Sequence, residues 1–457
     1  MKVKGGGLTS QESKEAMAYL EGRHDTLLLD KEETWRLKSR AIWLACGDEN
    51  AKFFHAYARG RKAVNTIWSL RDEVGDTHYS FEYKARCGVT HFQNLFRAPE
   101  QASIVEVITV AQLFPRFVEE EGNRALMREV SEEELKKVLS SFQKDKSPGP
   151  DGWSIEFFLD LFEVLGNDLR QVVEDSRITG QIPTSFNSTF IALIPKSDNT
   201  LSLNEFRPIS LCNCIYKVIS TIIARRLKVI LSGHISDEQF VFLEGRQIHA
   251  AIGVAQEGLH SLKTKNLKGV VLKIDLSEAY DKVSWLYIRL ILTHLGFGIA
   301  FIRWIMSCIT MVYFFVLING AASPFFHAKR ELRQGCPLSL LLFLLVTEGL
   351  SGAIKEVKAQ GHFKGIQIAQ NLLISHLLFV DEVLIFCSGF RGDSRALRDI
   401  LDLFSKATGM EINVEKSTLT THLLRPAEVE EISRIFPFNT VGLDEGLKYL
   451  GFSLKVN

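Results

Sequence analysis

The strongest periodic signal in the chain is "CIYKVISTIIARRLKVIL", where Ile215, Val218, Ile219, Ile222, Ile223, Leu227 and Ile230 recur every three or four residues. That spacing predicts an amphipathic helix, entered from the loop "FRPISLCN". Elsewhere the period shortens. "STFIALIPKSDN" reads as a strand ending at Pro195-Lys196, and "GVVLKIDLSEAYDKVSW" as a strand that carries Asp275 and passes into a helix. "VYFFVLINGAASPFFHAKREL" predicts a β-hairpin around Asn319-Gly320. "RQGCPLSLLLFLLVTEGLSGAIKEV" predicts a tight turn and a buried helix, and "LLISHLLFVDEVLIF" a further strand. A helix near Arg395–Ala407, a strand "GMEINVEKST" and a last short strand "LKYLGFSL" follow. Strands and helices mix without a regular βαβ period, which argues for an α+β fold.

Upstream, Ser10 to Lys62 is charged and helical in pattern, with Trp35, Ile42, Trp43, Phe53 and Phe54 as an apolar stripe broken by "CGDEN". "SEEELKKVLSSF" opens like a capped helix, Ser131 capping with Glu134 three residues on. The breaker-rich "KDKSPGPDGW" then suggests a division into a mainly helical N-terminal region, 1–130, and a main domain, 131–457.

Composition narrows the partners. Lys+Arg and Asp+Glu are 54 each, so there is no global charge to attract a polyanion, and any nucleic acid must be met by local clusters. Arg225, Arg226 and Lys228 lie off the apolar stripe of their helix, where a solvated face is the commoner reading than a nucleic-acid contact. Seven scattered cysteines with no CxxC pair argue against a structural zinc site and fit a reducing compartment. The N-terminus lacks the apolar core of a signal peptide, and the two longest apolar runs fall short of the roughly 18 residues a membrane span needs. The expectation is a protein of the nucleus or cytoplasm, neither secreted nor in a membrane.

Asp381 and Glu382 interrupt an otherwise apolar run, and an unpaired carboxylate in such a place costs several kcal/mol. A lone acid at a strand end is usually a turn or cap residue. If the strand bearing Asp275 lies beside this one, three carboxylates converge, and like charges raise at least one pKa. Two Mg²⁺ ions would turn that repulsion into attraction, because hard divalent cations prefer oxygen ligands. Two such ions about 3.5–4 Å apart can hold the attacking and leaving oxygens of a phosphoryl transfer.

With "IPK…FRPISLCN…YKVIS", "KIDLSEAYDKVSW", "LRQGCPLS", "FVDE", "GMEINVEKS" and "LKYLG" in that order, the chain resembles the reverse transcriptases of plant non-LTR (LINE-type) retrotransposons. "WLACGDENAKFFH" and "KSPGPDG" resemble segments preceding the polymerase domain of those elements. The resemblance implies a right-hand polymerase fold of fingers and palm, working as an RNA-directed DNA polymerase on an RNA template, a DNA primer and dNTPs, with two Mg²⁺ ions or Mn²⁺ in their place. It implies that Asp275, the Leu276 carbonyl, Asp381 and Glu382 bind metal, that Tyr280 underlies the sugar, and that Lys196 and Arg207 hold the triphosphate. It further implies that Gln334 and Gly335 line the nucleotide pocket and that Lys416 protonates pyrophosphate. "KYLG", with Tyr449, resembles the start of the primer grip, and Arg225, Arg226, Lys228 and Arg246 are candidate nucleic-acid contacts.

The sequence departs from the family in reading "FVDE" for "FADD", in Glu331 for the glycine before "LRQG", and in Leu340 for the proline after "PLS". The family's thumb and endonuclease are expected to lie outside this sequence. A catalytically inactive remnant with residual nucleic-acid binding therefore stands as the alternative. A third reading is an unstable fragment with Tyr449, Leu450 and Phe452 uncovered.

Overall fold

The computed structural model describes Tyr19, residues 22–23, Gly60 and residues 63–455, apart from 72–74, 98–103, 198–199, 242 and 370–371. The helical pattern expected between Ser10 and Lys62 lies almost wholly outside the described residues. The chain divides into two compact units, Met1–Ser80 with Ile194–Arg207, and Phe81–Leu193 with Pro208–Asn457. In the smaller unit, β1 (Leu70–Arg71) pairs antiparallel with β2 (Thr77–His78). There the Glu205 carboxylate accepts from the Leu201 and Ser202 amides, closing the turn that returns the chain after Lys196.

A four-stranded sheet follows the order β4 (Phe206–Cys212), β3 (Thr189–Pro195), β6 (Phe314–Ile318), β7 (Ala321–Ala322). β3 and β6 are parallel, with Thr189 beside Phe314. One face of β6 buries Phe314 and Val316 against the helix Phe81–Leu95, close enough that a Cβ on Gly88 would lie 3.2 Å from Val316. Asn319 and Gly320, both with positive φ (54° and 89°), form the two-residue turn between β6 and β7.

The larger sheet runs β10 (His376–Phe379), β11 (Glu382–Cys387), β5 (Gly269–Ser277), β13 (Thr418–His422), β14 (Asn439–Gly442), with β12 (Glu411–Ile412) also pairing β5. β5 is buried on both faces, as its run of Val, Leu and Ile requires of a central strand. Val270, Leu272, Ile274 and Leu276 face a core built from the helices Cys214–Leu231, Trp285–Leu295, Pro337–Ala359 and Arg391–Thr408. The alternate residue Val271 joins Leu384 and Phe386 against the helix Ile248–Thr264 and a C-terminal hairpin. That hairpin is β15 (Leu447–Tyr449) with β16 (Phe452–Leu454); a separate pair, β8 (Ile366–Ala369) with β9 (Leu372–Ile374), precedes β10.

Several expectations are corrected or sharpened here. "LLISHLLFVDEVLIF" is not one strand but β9, β10, a two-residue turn at Val380-Asp381, and β11. "LKYLGFSL" is a hairpin rather than a strand, and it covers Tyr449 completely; Phe452 keeps 48% of its surface exposed. The breaker-rich "KSPGPDGW" is packed on the protein: the Asp151 amide donates to Asn213 Oδ1 (3.1 Å), and any side chain on Gly149 would collide with Asn213. Ser131 does cap its helix, Glu132–Ser140, accepting from the Glu134 amide at 3.1 Å. The helix Pro337–Ala359 is long and apolar enough to cross a membrane, yet most of it is buried in the protein core.

Candidate active site

Asp275 lies near the end of β5, the most central strand of the larger sheet. β11 runs antiparallel beside it, with Glu382 directly opposite Asp275. Because opposed residues share a face, these two side chains leave the sheet on the same side. Asp381 precedes Glu382 in the hairpin turn, and its carbonyl accepts from the Leu276 amide at 3.1 Å. The sheet ladder thus brings residues more than a hundred positions apart in the chain to the same end of the central strands. On the other side of β5 the segment after β12 folds over Asp275. The Asn413 amide donates to the Asp275 carbonyl (2.8 Å), the Asp275 amide donates to Ser417 Oγ (3.1 Å), and Asn413 Oδ1 accepts from the Lys416 amide (3.1 Å). These bonds hold Lys416, whose side chain is exposed, beside the acids.

Burial first, and the Glu382 charge after it, push the Asp275 carboxyl above its usual pKa, while Lys416 and Lys273 pull it back. Asp381 keeps an exposed surface at the turn, but the protein packed round its carboxyl, then the Asp275 and Glu382 charges, raise its pKa as well; Lys416 opposes. Among the described residues no ion pair neutralises Asp275 or Asp381. Glu382 differs: Oε1 lies 3.5 Å from Lys273 Nζ and Oε2 accepts from the Leu450 amide at 3.1 Å. Two mutually repelling carboxylates that feel Lys416 but form no ion pair are the type of oxygen donor that hard cations prefer. Among the described residues no group of three or more His, Cys, Asp or Glu is placed to hold a metal ion.

Residues 194–454, more than half of the chain, match the family described as reverse transcriptase (RNA-dependent DNA polymerase). The chain belongs to this family. It is 25% identical to the transposon TX1 uncharacterized 149 kDa protein of Xenopus laevis over 386 residues, 84% of this chain and 29% of that protein. It is 22% identical over 292 residues, 64% of this chain and 39% of the relative, to the retrovirus-related Pol polyprotein from type-1 retrotransposable element R2 of Popillia japonica. A 71-residue stretch, 15% of this chain, is 45% identical to an uncharacterized mitochondrial protein of Arabidopsis thaliana, covering 58% of it. The chain spans well under half the length of the two transposon relatives. Reverse transcriptases use divalent metal ions, and the mixed α and β architecture fits the palm and fingers of that fold.

The other positions suggested by the family motifs are placed as follows. Tyr280 is half-buried, its ring stacked on Phe343 with centroids 4.4 Å apart, and it feels the Asp381 charge. Its carbonyl accepts from the Leu332 amide at 2.7 Å, which ties the "LRQG" turn to the strand bearing Asp275. Gln334 Nε2 reaches Asp281 Oδ2 at 3.4 Å, and the Gln334 carbonyl accepts from the Ser210 amide. Gly335 has φ of 94°, so a side chain there would be strained even though the space is open. Glu331, at the site where the resemblance expects glycine, sits at φ 141°, buried, with Oε1 lacking a hydrogen-bond partner among the described residues; burial pushes its pKa up, opposed by the Arg333 charge. Lys196 and Arg207 belong to the smaller unit, where Lys196 Nζ donates to the Asn204 carbonyl at 2.6 Å.

Three of the nucleic-acid candidates are engaged by the protein itself. Arg226 is 6% exposed: its guanidinium pairs with Glu134 at 2.7 Å and donates to the carbonyls of Leu126 and Arg128. Arg246 is tied to the carbonyls of Ser236, Gln239 and Ile235. Tyr449 is fully buried. Arg225 and Lys228 remain partly exposed. Sequence reasoning passed over Lys273, Asn413 and Ser417. Lys273 could have been found, since it stands two residues before Asp275 on a strand and so shares its face. Asn413 and Ser417 act through backbone geometry that no motif announces.

Proposed function

We propose that this chain is the polymerase region of a non-LTR retroelement of plant type, an RNA-directed DNA polymerase that extends a DNA primer on an RNA template. The observation that carries the reading is the juxtaposition of Asp275 with the turn residue Asp381 where the central strands of a sheet end, with no ion pair to either among the described residues. The expected reaction joins the primer 3′ oxygen to the α-phosphorus of a dNTP and breaks the bond from that phosphorus to pyrophosphate. Asp275, Asp381 and the Leu276 carbonyl would hold two Mg²⁺ ions, or Mn²⁺, which when bound supply Lewis-acid stabilisation of phosphoryl charge. Lys416, poised over the two acids, is positioned to give a proton to the leaving pyrophosphate. The stacked Tyr280 ring forms a floor for the sugar, and Gln334 with Gly335 shapes the nucleotide pocket beside it. Lys196 and Arg207 would contribute donors to the triphosphate oxygens, Arg bidentately. A nuclear or cytoplasmic location goes with this reading.

The test is primer extension on poly(rA)/oligo(dT) with Mg²⁺ and then Mn²⁺, Asp275→Ala serving as the blank and EDTA as the metal-free control. Extension above the blank that EDTA abolishes supports the enzyme. No extension with either ion, together with retained binding of the hybrid, would favour the inactive remnant.

A further inference from the structure

Glu382 occupies the position that the family motif gives to a second aspartate, yet its carboxylate is directed elsewhere. Oε2 accepts from the Leu450 amide at 3.1 Å, and Oε1 lies 3.5 Å from Lys273 Nζ. Leu450 and Gly451, with φ of 50° and 82°, form the two-residue turn between β15 and β16. Two positive φ values are those of a type I′ turn, in which the amide of the first turn residue has no partner in the strand ladder. The carboxylate of Glu382 supplies that partner. The Tyr449 phenol lies near enough to feel the Glu382 charge, and the whole junction is only partly open to solvent.

We infer that Glu382 is a positioning residue that fastens the C-terminal hairpin to the central palm strands, with Lys273 holding its other oxygen, and that Asp275 and Asp381 alone supply the carboxylates of the cation site. Side-chain length explains the residue. An aspartate at 382 would reach about 1.5 Å less far, one carbon–carbon bond, and the Leu450 amide would lose its acceptor. The lengthened side chain and the turn it meets therefore belong together. The consequence for primer–template binding rests on the polymerase reading above; the fastening itself does not.

The experiment compares Glu382→Gln, Glu382→Asp, Glu382→Ala, Asp275→Asn and Asp381→Asn by three measurements: hydrogen exchange at the Leu450 amide, Mn²⁺ affinity by electron paramagnetic resonance, and affinity for an oligo(rA)/oligo(dT) hybrid. Loss of a charge-assisted hydrogen bond is expected to speed Leu450 exchange about tenfold in the Asp and Ala variants. Those two variants should also bind the hybrid more weakly, while Mn²⁺ affinity stays within about twofold of the unaltered protein. Glu382→Gln, which keeps an acceptor of the same reach for the Leu450 amide but loses the pairing with Lys273, should speed Leu450 exchange less than the Asp and Ala variants and leave Mn²⁺ affinity near that of the unaltered protein. The inference is overturned if Glu382→Gln loses as much Mn²⁺ affinity as Asp275→Asn, or if Glu382→Ala leaves Leu450 exchange unchanged. If neither Asp275→Asn nor Asp381→Asn alters Mn²⁺ binding, the cation-site half of the inference fails together with the polymerase reading, and the exchange data decide the fastening by themselves. Global exchange identifies any variant that has merely unfolded.

Discussion

Two hairpins of the larger unit have the same loop length and opposite chemistry. The turn between β6 and β7 is Asn319-Gly320, the pair that a two-residue loop with positive φ at both positions favours. The turn between β10 and β11 is Val380-Asp381, and it puts a β-branched valine at φ 54°. Such a conformation costs on the order of 1–3 kcal/mol and persists only where the surroundings impose it. Here they do: Val380 packs against the main core, and the Asp381 carbonyl is pinned by the Leu276 amide. The first turn is built from residues that suit the backbone. The second is built around an acid placed beside another acid, and it holds a β-branched residue at positive φ to do so.

The largest break in that comparison is expected from chemistry. Asp381→Asn should lower primer extension by about 10²–10³-fold, the usual loss when one group stabilising transition-state charge is removed. It should also raise the melting temperature at neutral pH. The folded-state pKa of Asp381 is raised, so its ionised form costs stability once the pH passes that value, and asparagine removes the cost. Asn319→Ala, in the other hairpin, should leave extension unchanged.

Acid separates the hairpins next. His376 on β10 is fully buried, with Ser351 Oγ 2.8 Å from Nε2 and Ser375 Oγ 3.0 Å from Nδ1, and burial pulls its pKa from 6.5 down to about 4. The stability it contributes is complete above the unfolded value of 6.5 and is lost as pH falls through about 4, a difference of about 3 kcal/mol. β6 and β7 contain no titratable side chain. Residue-resolved hydrogen exchange between pH 7 and 4 should therefore show β10–β11 opening first, and His376→Gln should flatten the difference.

Smaller effects come from the turns themselves. Gly320→Ala meets open space but must hold φ near 89°, so denaturant unfolding should report a loss of about 1–2 kcal/mol. Val380→Gly relieves strain but gives up apolar contact, and its net change should fall within about 1 kcal/mol. A loss of 3 kcal/mol or more there would mean that Val380 is a packing residue first and a strained one second.

Much of this was legible along the chain. The helix containing Ile215 to Ile230, the Asn319-Gly320 turn and the Ser131 cap follow from period and local turn chemistry, which involve residues within a few positions of each other. The Asp275 and Asp381 strands could be named as a candidate pair, although the second acid lies in a turn and not within a strand. The fates of Arg226, Tyr449 and Glu382 could not be read. Arg225 and Arg226 are adjacent and chemically alike, yet one is partly exposed and the other is buried against Glu134. That distinction depends on where the helix Glu132–Ser140 packs, about ninety residues away in sequence.

The sequence by itself determined most of the element types (though the expected loop "FRPISLCN" is strand β4), the order of the polymerase motifs and the presence of acids in an apolar setting, because backbone preference and hydrophobic period act locally. The tertiary structure decided which charges are spent on the protein and which are free for chemistry. Glu382 and Asp381 are neighbours in the chain with similar side chains. One is satisfied by Lys273 and the turn amide of Leu450, while the other is left facing Asp275. The cost of burying a charge is met by whatever partner the fold brings near, and that partner is fixed by strand register and hairpin docking, not by local sequence.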